Sequence, residues 1–173
     1  MCIGRMGVVR EVHELGEGME NIVVRYAKNS DYDRVEVLMA QVQQMHVEWR
    51  PDIYKMGATV LPKDVFEKAI VEKSFLVAEV EGMVVGLLFF YVYHRENDSS
   101  VTRDVLFVDS MAVHEEYRRQ GIGHALFDYV KAMAKEKQIA AIELSVNAKN
   151  ADAMAMYRKC GFGEKSITME LVL

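Results

Sequence analysis

The sequence Arg118-Arg119-Gln120-Gly121-Ile122-Gly123 joins an apolar segment to an amphipathic one. The segment before it, Val105 to Val113, is rich in strand-forming residues. The segment after it has apolar residues at helical spacing: Ile122, Ala125, Leu126, Tyr129, Val130 and Met133. The glycines allow a sharp turn and a close approach of a ligand to the backbone. Because a helix begins with bare N–H groups and a positive dipole end, and two arginines precede it, the sequence predicts a pyrophosphate cradle.

Two common nucleotide-binding motifs do not match this junction. The dinucleotide fingerprint Gly-x-Gly-x-x-Gly has Leu126 at its third glycine position, and the Gly-Lys-Ser/Thr of a phosphate-binding loop is absent. A Gly-x-Gly pair before a helix is also often only a tight turn. The glycines alone therefore do not decide between a turn and a binding site.

The spacing Arg-x-x-Gly-x-Gly, filled by Arg118, Gly121 and Gly123, resembles the acyl-CoA-binding motif of the GNAT superfamily of N-acetyltransferases. A second motif resembles the same family. It reads Asn-x-x-Ala-x-x-x-Tyr followed by a Gly-Phe pair, and its residues are Asn150, Ala153, Tyr157, Gly161 and Phe162. The resemblance covers roughly residues 21–173 and follows the family's element order.

The resemblance implies acetyl-CoA as cosubstrate, and no metal-ligand cluster is visible in the sequence. The residues that it implies in acetyl-CoA binding are Met111, Ala112, Val113, Arg118, Arg119, Gln120, Gly121, Ile122, Gly123, His124, Asn150 and Ala153. In the family, the strands that carry Met111 and Ile142 here splay apart, and backbone groups of the first strand bind the pantetheine arm in the gap. Gln120 and His124 are expected to contribute backbone N–H groups. The alternative for Arg118 and Arg119 is an ordinary surface charge.

Composition sets the class of protein. The chain has 173 residues, enough for one domain with a substantial core, and we expect a tail over residues 1–20 and a single acetyltransferase domain over 21–173. A net charge of −5 argues against nucleic-acid binding. Cys2 and Cys160 lack the spacing of a disulfide framework or metal site, which makes a reducing cytoplasm the default. The longest apolar run, Met83 to Tyr93, is too short to span a membrane.

The pattern of elements predicts an α/β fold of order β-α-α-β-β-β-α-β-α-β, a mixed sheet with helices on both faces. Glu81-Gly82 is the expected turn of a hairpin, and the run Met83 to Tyr93 suggests a strand buried on both faces. His94 to Arg103 is expected to be a polar loop. Asn150 is expected to cap the helix that Gly161 ends. Ser166 to Val172 is predicted to be the last strand.

Asp109 lies in an otherwise apolar strand, where strict alternation places it on the face of Phe107, Met111 and Val113. A carboxylate there costs free energy unless it is solvated or hydrogen-bonded. The functional interpretation is a catalytic and substrate-binding group that holds an ammonium or removes its proton, directly or through water. Family members often have an acidic residue at this point. The alternative is an aspartate that bonds a loop.

Tyr157 lies two helical turns after Asn150. A lone tyrosine at such a position is usually an amphipathic packing residue. The resemblance implies a catalytic role instead, the protonation of the departing CoA thiolate.

His46 lies at the end of the first predicted helix, near Glu48, Trp49, Asp52 and Tyr54. It is the candidate substrate-binding residue of that region, and a solvated helix face is the alternative.

The resemblance implies an acetyl-CoA-dependent N-acetyltransferase that acts by direct attack of a primary amine on the thioester. Small-molecule amines are the favoured acceptors, and protein N-termini or lysines are the alternative. A non-catalytic acyl-CoA-binding sensor is the alternative from another class. Because dimers are common in the family, a homodimer is a further expectation, although no interface is legible in the sequence.

Overall fold

A computed structural model describes residues 21–172, so the expected tail over residues 1–20 and Cys2 lie outside the described residues. The strands are β1 (Ile22–Tyr26), β2 (Phe75–Val80), β3 (Met83–Asn97), β4 (Ser100–Val113) and β5 (Ala141–Leu144). The α-helices are α1 (Tyr32–Trp49), α2 (Lys63–Val71), α3 (Ile122–Glu136) and α4 (Ala151–Lys159). Single 3-10 turns cover Asn29–Asp31 and Glu115–Tyr117. No helix among the described residues is long and apolar enough to cross a membrane.

The five strands form one mixed sheet in the order β1-β2-β3-β4-β5. The first four pair antiparallel, whereas β5 runs parallel to β4. Helix α3 packs its buried residues Leu126, Phe127 and Val130 on one face of the sheet. Helices α1 and α2 pack Val35, Leu38 and Phe66 on the other face. The predicted mixed sheet with helices on both faces is therefore confirmed.

Strand β4 continues past the end of its neighbour β5. Its parallel pairing covers only four positions, from Val105 opposite Ala141 to Val108 opposite Leu144. On its other side β4 stays paired with β3 up to Val113 opposite Gly86. The segment from Asp109 to Val113 therefore borders a gap on the side of β5, as the expected splaying of the two strands requires.

The predicted loop over His94 to Arg103 is wrong. Strands β3 and β4 continue through this segment, with His94 opposite Asp104 and Arg95 opposite Arg103, and the chain turns at Asp98-Ser99. Polar residues at the end of a hairpin face solvent on both sides, so the hydrophobic pattern that marks a strand is missing there.

The prediction that the run Met83 to Tyr93 is a strand buried on both faces is confirmed only in part. Residues 84–88 are buried, but Tyr91 and Val92 are exposed.

The predicted last strand, Ser166 to Val172, is also wrong. This segment forms neither helix nor strand. Its alternating apolar residues are at least 80% exposed: Ile167, Met169 and Leu171. Alternation marks a segment that is able to pair, but a strand also needs a partner and an apolar face to cover. Glu170 within the segment pairs with Arg50 at 2.5 Å, and Lys165 just before it pairs with Glu143 at 2.6 Å.

Candidate active site

The loop before α3 adopts the turn that its glycine allows. Gly121 is the residue before the helix, with φ of 87°, and Arg119 also lies in the left-handed region at 65°. The carbonyl oxygen of Gly121 accepts the first helical hydrogen bond, from the N–H of Ala125, at 3.0 Å. The N–H groups of the first turn consequently have no acceptor within the helix and are available to an anion.

Two small residues allow α3 to begin close to the sheet. A Cβ on Gly123 would lie 3.0 Å from the Cε of Met111 and 3.7 Å from the sulfur of Met156. A Cβ on Gly86 would lie 2.8 Å from a methyl carbon of Ile122. Gly86 was not among the residues predicted from the sequence, although a glycine inside a buried apolar strand is a known sign of close approach. A side chain at Gly86 would displace Ile122 and with it the start of α3.

A cavity of about 850 Å³ lies at the gap beside β4. The residues expected in acetyl-CoA binding that line it are Met111, Ala112, Val113, Arg118, Arg119, Gly121, Ile122, Gly123, His124, Asn150 and Ala153. Tyr157 and His46 line it as well. Gln120 is outside this lining, and its side chain donates to the carbonyl oxygen of Glu116 at 2.9 Å.

The cavity passes through the sheet. Met156 and Tyr157 of α4 pack with the cluster on the α3 face, whereas α1 packs on the opposite face, and yet both helices line the cavity. The loop before α4 also reaches α1, because Lys149 Nζ donates to the carbonyl oxygen of Trp49 at 2.7 Å. Two ligands approaching from opposite faces of the sheet are thus able to meet in the gap. Gln41, Met45 and Lys149 also line the cavity but were not predicted to do so, because no local pattern marks them.

Tyr157 lies in an aromatic environment next to the cavity. Its ring packs edge-on against Phe127 and Phe162, with centroids 5.7 Å and 6.0 Å away. Burial raises the pKa of Tyr157 above its usual value. The hydroxyl therefore stays protonated at neutral pH, as a proton donor must.

His46 is held by aromatic neighbours on the α1 side of the cavity. Its ring centroid lies 5.0 Å from that of Tyr54 and 6.0 Å from that of Trp49. Burial lowers the pKa of His46, so its ring is neutral at pH 7. Glu36 anchors the loop beyond α1, because its carboxylate accepts hydrogen bonds from the N–H groups of Val60 and Leu61 at 2.7 Å and 2.9 Å.

The face predicted for Asp109 by strict alternation is wrong. Phe89 lies opposite Ser110 but Phe90 lies opposite Val108, so Asp109 is the extra residue of a β-bulge. Val108 and Met111 consequently pack on the same face, whereas alternation places them on opposite faces. Asp109 is exposed and accepts a hydrogen bond from the Ser110 hydroxyl at 2.8 Å. It is outside the lining of the cavity, at the edge of the gap.

The second motif folds as its residue types predict. The Asn150 side chain accepts a hydrogen bond from the N–H of Ala153 at 3.1 Å, which confirms the predicted cap of α4. The helix ends at Lys159, and Gly161 follows with φ of 92°. The N–H of Phe162 then bonds the carbonyl oxygen of Tyr157 at 3.0 Å, which fixes the end of α4 beside the cavity.

Comparison with known proteins agrees with this geometry. The family model described as acetyltransferase (GNAT) family matches residues 39–162. An N-alpha-acetyltransferase of Sulfurisphaera tokodaii is 35% identical over 100 residues, which are 56% of this chain and 60% of that protein. The L-amino acid N-acetyltransferase AaaT of Escherichia coli is 29% identical over 150 residues, 83% of this chain and 84% of that protein.

Among solved structures, a mutant form of the BH1408 protein of Bacillus halodurans superposes with a TM-score of 0.84 at 28% identity. That match covers 87% of this chain and 98% of the other. The family match extends from α1 through the cradle before α3 to the Gly-Phe pair after α4, which are the segments that surround the cavity. The chain belongs to the GNAT family of acetyltransferases.

Proposed function

We propose that the protein transfers an acetyl group from acetyl-CoA to a primary amine by direct attack of the amine on the thioester. The observation that carries the proposal is the cavity through the sheet, with the cradle at Gly121 and the hydroxyl-bearing Tyr157 on one face and His46 on the other. The two curated relatives differ in the acceptor that their names give, since one is an N-alpha-acetyltransferase and the other an L-amino acid N-acetyltransferase.

The residues around the cradle suit the diphosphate of acetyl-CoA. The first turn of α3 offers free N–H groups, and Arg118 and Arg119 are exposed next to it. The Arg118 Nε donates to the carbonyl oxygen of Val113 at 3.3 Å, which holds this arginine against β4. Beyond Val108, β4 has no strand on the β5 side within residues 21–172, so backbone groups between Asp109 and Val113 are available to the pantetheine amides.

The chemistry needs a neutral amine, an oxyanion site and a proton for the leaving sulfur. In the proposal Asp109 or a water molecule removes the proton of the amine, and His46 lines the path of the acceptor. Backbone N–H groups near Met111 to Val113 stabilise the oxyanion, and Tyr157 donates its proton to the thiolate. Cys160 is buried, its burial raises the pKa of its thiol, and no activating base is bonded to it in the described part of the chain, so direct transfer is preferred to a covalent acyl-enzyme.

The test is a thiol-release assay with acetyl-CoA and a panel of amines that includes amino acids, polyamines and short peptides, with the products checked by mass spectrometry. The proposal predicts thiol release that depends on one class of amine and an acetylated product. Stabilisation by acetyl-CoA without transfer to any amine would instead support a sensor that binds acyl-CoA without chemistry. Release that does not depend on an amine would indicate a thioesterase.

A further inference from the structure

A cluster of cations surrounds one carboxylate on the α1 face of the sheet. We define the Glu143 cluster as Glu143, Tyr93, Arg95, Arg103 and Lys165. The Glu143 carboxylate accepts from Lys165 Nζ at 2.6 Å, from the Arg103 guanidinium at 3.3 Å and from the Tyr93 hydroxyl at 3.3 Å. The guanidinium of Arg95 lies 3.7 Å from the same carboxylate and donates to the Tyr93 hydroxyl at 2.9 Å.

The Glu143 cluster is unbalanced in charge. It holds three cations and one carboxylate, although the whole chain has a net charge of −5. The buried ion cluster at β1 has the opposite arrangement, because one guanidinium, that of Arg25, pairs with Asp31 and Glu79. Arg95, Arg103 and Lys165 keep 30%, 35% and 51% of their side chains exposed. The Glu143 cluster is therefore an accessible positive site on an acidic protein, able to attract an anionic group.

The Glu143 cluster lies next to the gap in the sheet. Glu143 pairs with Phe107, one position before the last paired residues of β4 and β5. Its neighbours Ile142 and Leu144 pack on the α3 face, so Glu143 points to the α1 face. Tyr91 lies opposite Phe107, with ring centroids 5.4 Å apart, and gives this surface an aromatic floor. An acceptor that approaches the gap along the α1 face therefore passes over the rings of Tyr91 and Phe107, beside the three cations of the Glu143 cluster.

The distance between the Glu143 cluster and the gap determines how long an acceptor must be to reach both. Asp109 follows Phe107 by two residues, and Glu143 is opposite Phe107 one strand away, so the backbone positions of Glu143 and Asp109 are about 8 Å apart on strand spacings. In a free α-amino acid a single carbon joins the amine and the carboxylate, which is too short to span this distance. An extended peptide covers it in about two residues.

We infer that the preferred acceptor is the α-amine of a peptide or polypeptide with an acidic side chain at its second or third residue, and that Arg95, Arg103 and Lys165 bind that side chain. This inference rests on the proposed acetyl transfer and departs from the small-molecule acceptor favoured by the sequence. Glu143 holds the three cations together, and the aromatic floor packs against the intervening peptide backbone.

The experiment compares matched peptide amides: Ala-Asp-Ala-Ala against Ala-Asn-Ala-Ala, and Ala-Ala-Asp-Ala against Ala-Ala-Asn-Ala, with free alanine and free aspartate alongside. We expect kcat/KM about 5- to 10-fold higher for the better acidic peptide than for its neutral partner, and lower still for the free amino acids. Raising the salt from about 0.05 M to about 0.5 M should reduce that preference, because exposed charges are screened.

Variants then assign the effect to the cluster. Arg103→Gln and Lys165→Gln should each reduce the acidic preference by about 2- to 5-fold, through KM for the peptide, with KM for acetyl-CoA unchanged. Lys131→Gln is the matched control, since Lys131 pairs with Asp128 on α3 at 3.5 Å, away from this face. Melting temperatures of all variants, measured with acetyl-CoA, identify any variant that fails to fold.

Equal turnover of acidic and neutral peptides, or faster turnover of free amino acids, would overturn this inference while leaving acetyl transfer intact. An acidic preference that survives both substitutions would overturn the role of the Glu143 cluster. Absence of transfer to every amine would overturn the proposed function instead, so the two failures are distinguishable.

Discussion

The two edges of strand β4 are paired to different extents. On the β3 side, pairing continues from Ser100 to Val113. On the β5 side it covers only Val105 to Val108, and beyond the gap's edge Met111, Ala112 and Val113 line the cavity. The paired edge satisfies backbone groups of β4, and Leu106 in the paired part is completely buried under α3, whereas the open edge leaves polar backbone groups for a ligand. One strand thus contributes to stability with one edge and to the proposed chemistry with the other.

The largest expected effect lies in the paired part of the strand. Leu106→Ala removes a fully buried side chain, and we expect a loss of about 2–5 kcal/mol in the free energy of unfolding. Val101→Ala in the same strand is the control, since Val101 is 82% exposed and its truncation should change stability by about 0.5 kcal/mol or less. Chemical denaturation measures both. Equal losses would mean that burial does not distinguish the two ends of β4.

The cradle at the open edge is expected to control cofactor binding rather than folding. Acetyl-CoA should raise the melting temperature of the wild type by mass action. Gly121→Val should abolish that rise, because a branched side chain would fill the space in front of the first turn of α3. Gly82→Val is a matched control, with a similar φ of 81° but a place in the β2–β3 turn. A normal shift in Gly121→Val would contradict the cradle.

A substitution at Asp109 tests whether the bulged residue at the start of the open edge of β4 takes part in proton removal. Asp109→Asn keeps the shape and should preserve acetyl-CoA binding, but it should lower amine turnover by about 10-fold or more below the pKa of the amine itself. The measurement is kcat/KM for the amine against pH. An unchanged pH profile would give Asp109 a structural role and leave proton removal to water.

The smallest effect concerns His46. Burial lowers the pKa of His46 below the ordinary 6.5, so the folded state binds a proton less readily than the unfolded state. The contribution of the neutral ring to stability is therefore complete above pH 6.5 and is lost as the pH falls from 6.5 through the lower pKa of the folded state. His46→Gln should therefore lose less stability than the wild type between about pH 7 and pH 5. Denaturation curves at both pH values provide the comparison. An identical loss in both proteins would show that the His46 environment does not disfavour its charge.

Local signals in the sequence predict much of the fold. Glycine at 121 and asparagine at 150 act within a few residues of themselves, so the turn before α3 and the cap of α4 are legible without the structure. The periodicity of α3 likewise depends only on its own residues. The mixed sheet with helices on both faces follows from such elements.

Features that depend on distant partners were not predictable in this way. The bulge at Asp109 arises from the register between β3 and β4, and it reverses the faces that alternation assigns. The segment from Ser166 to Val172 has a strand pattern but pairs with no strand within residues 21–172. The contact of Lys149 with Trp49 joins residues 100 positions apart, and no local pattern carries that information. The cations around Glu143 come from three separate segments for the same reason.

Tyr157→Phe tests the central claim, that the open edge of β4 houses acetyl transfer with Tyr157 as proton donor. The substitution keeps the ring packing against Phe127 and removes only the hydroxyl. Because a thiolate is already a fair leaving group, we expect kcat to fall by about 10- to 10³-fold with KM for acetyl-CoA nearly constant. Tyr26→Phe, outside the cavity, should leave kcat unchanged. A Tyr157→Phe enzyme that turns over like the wild type would contradict the account.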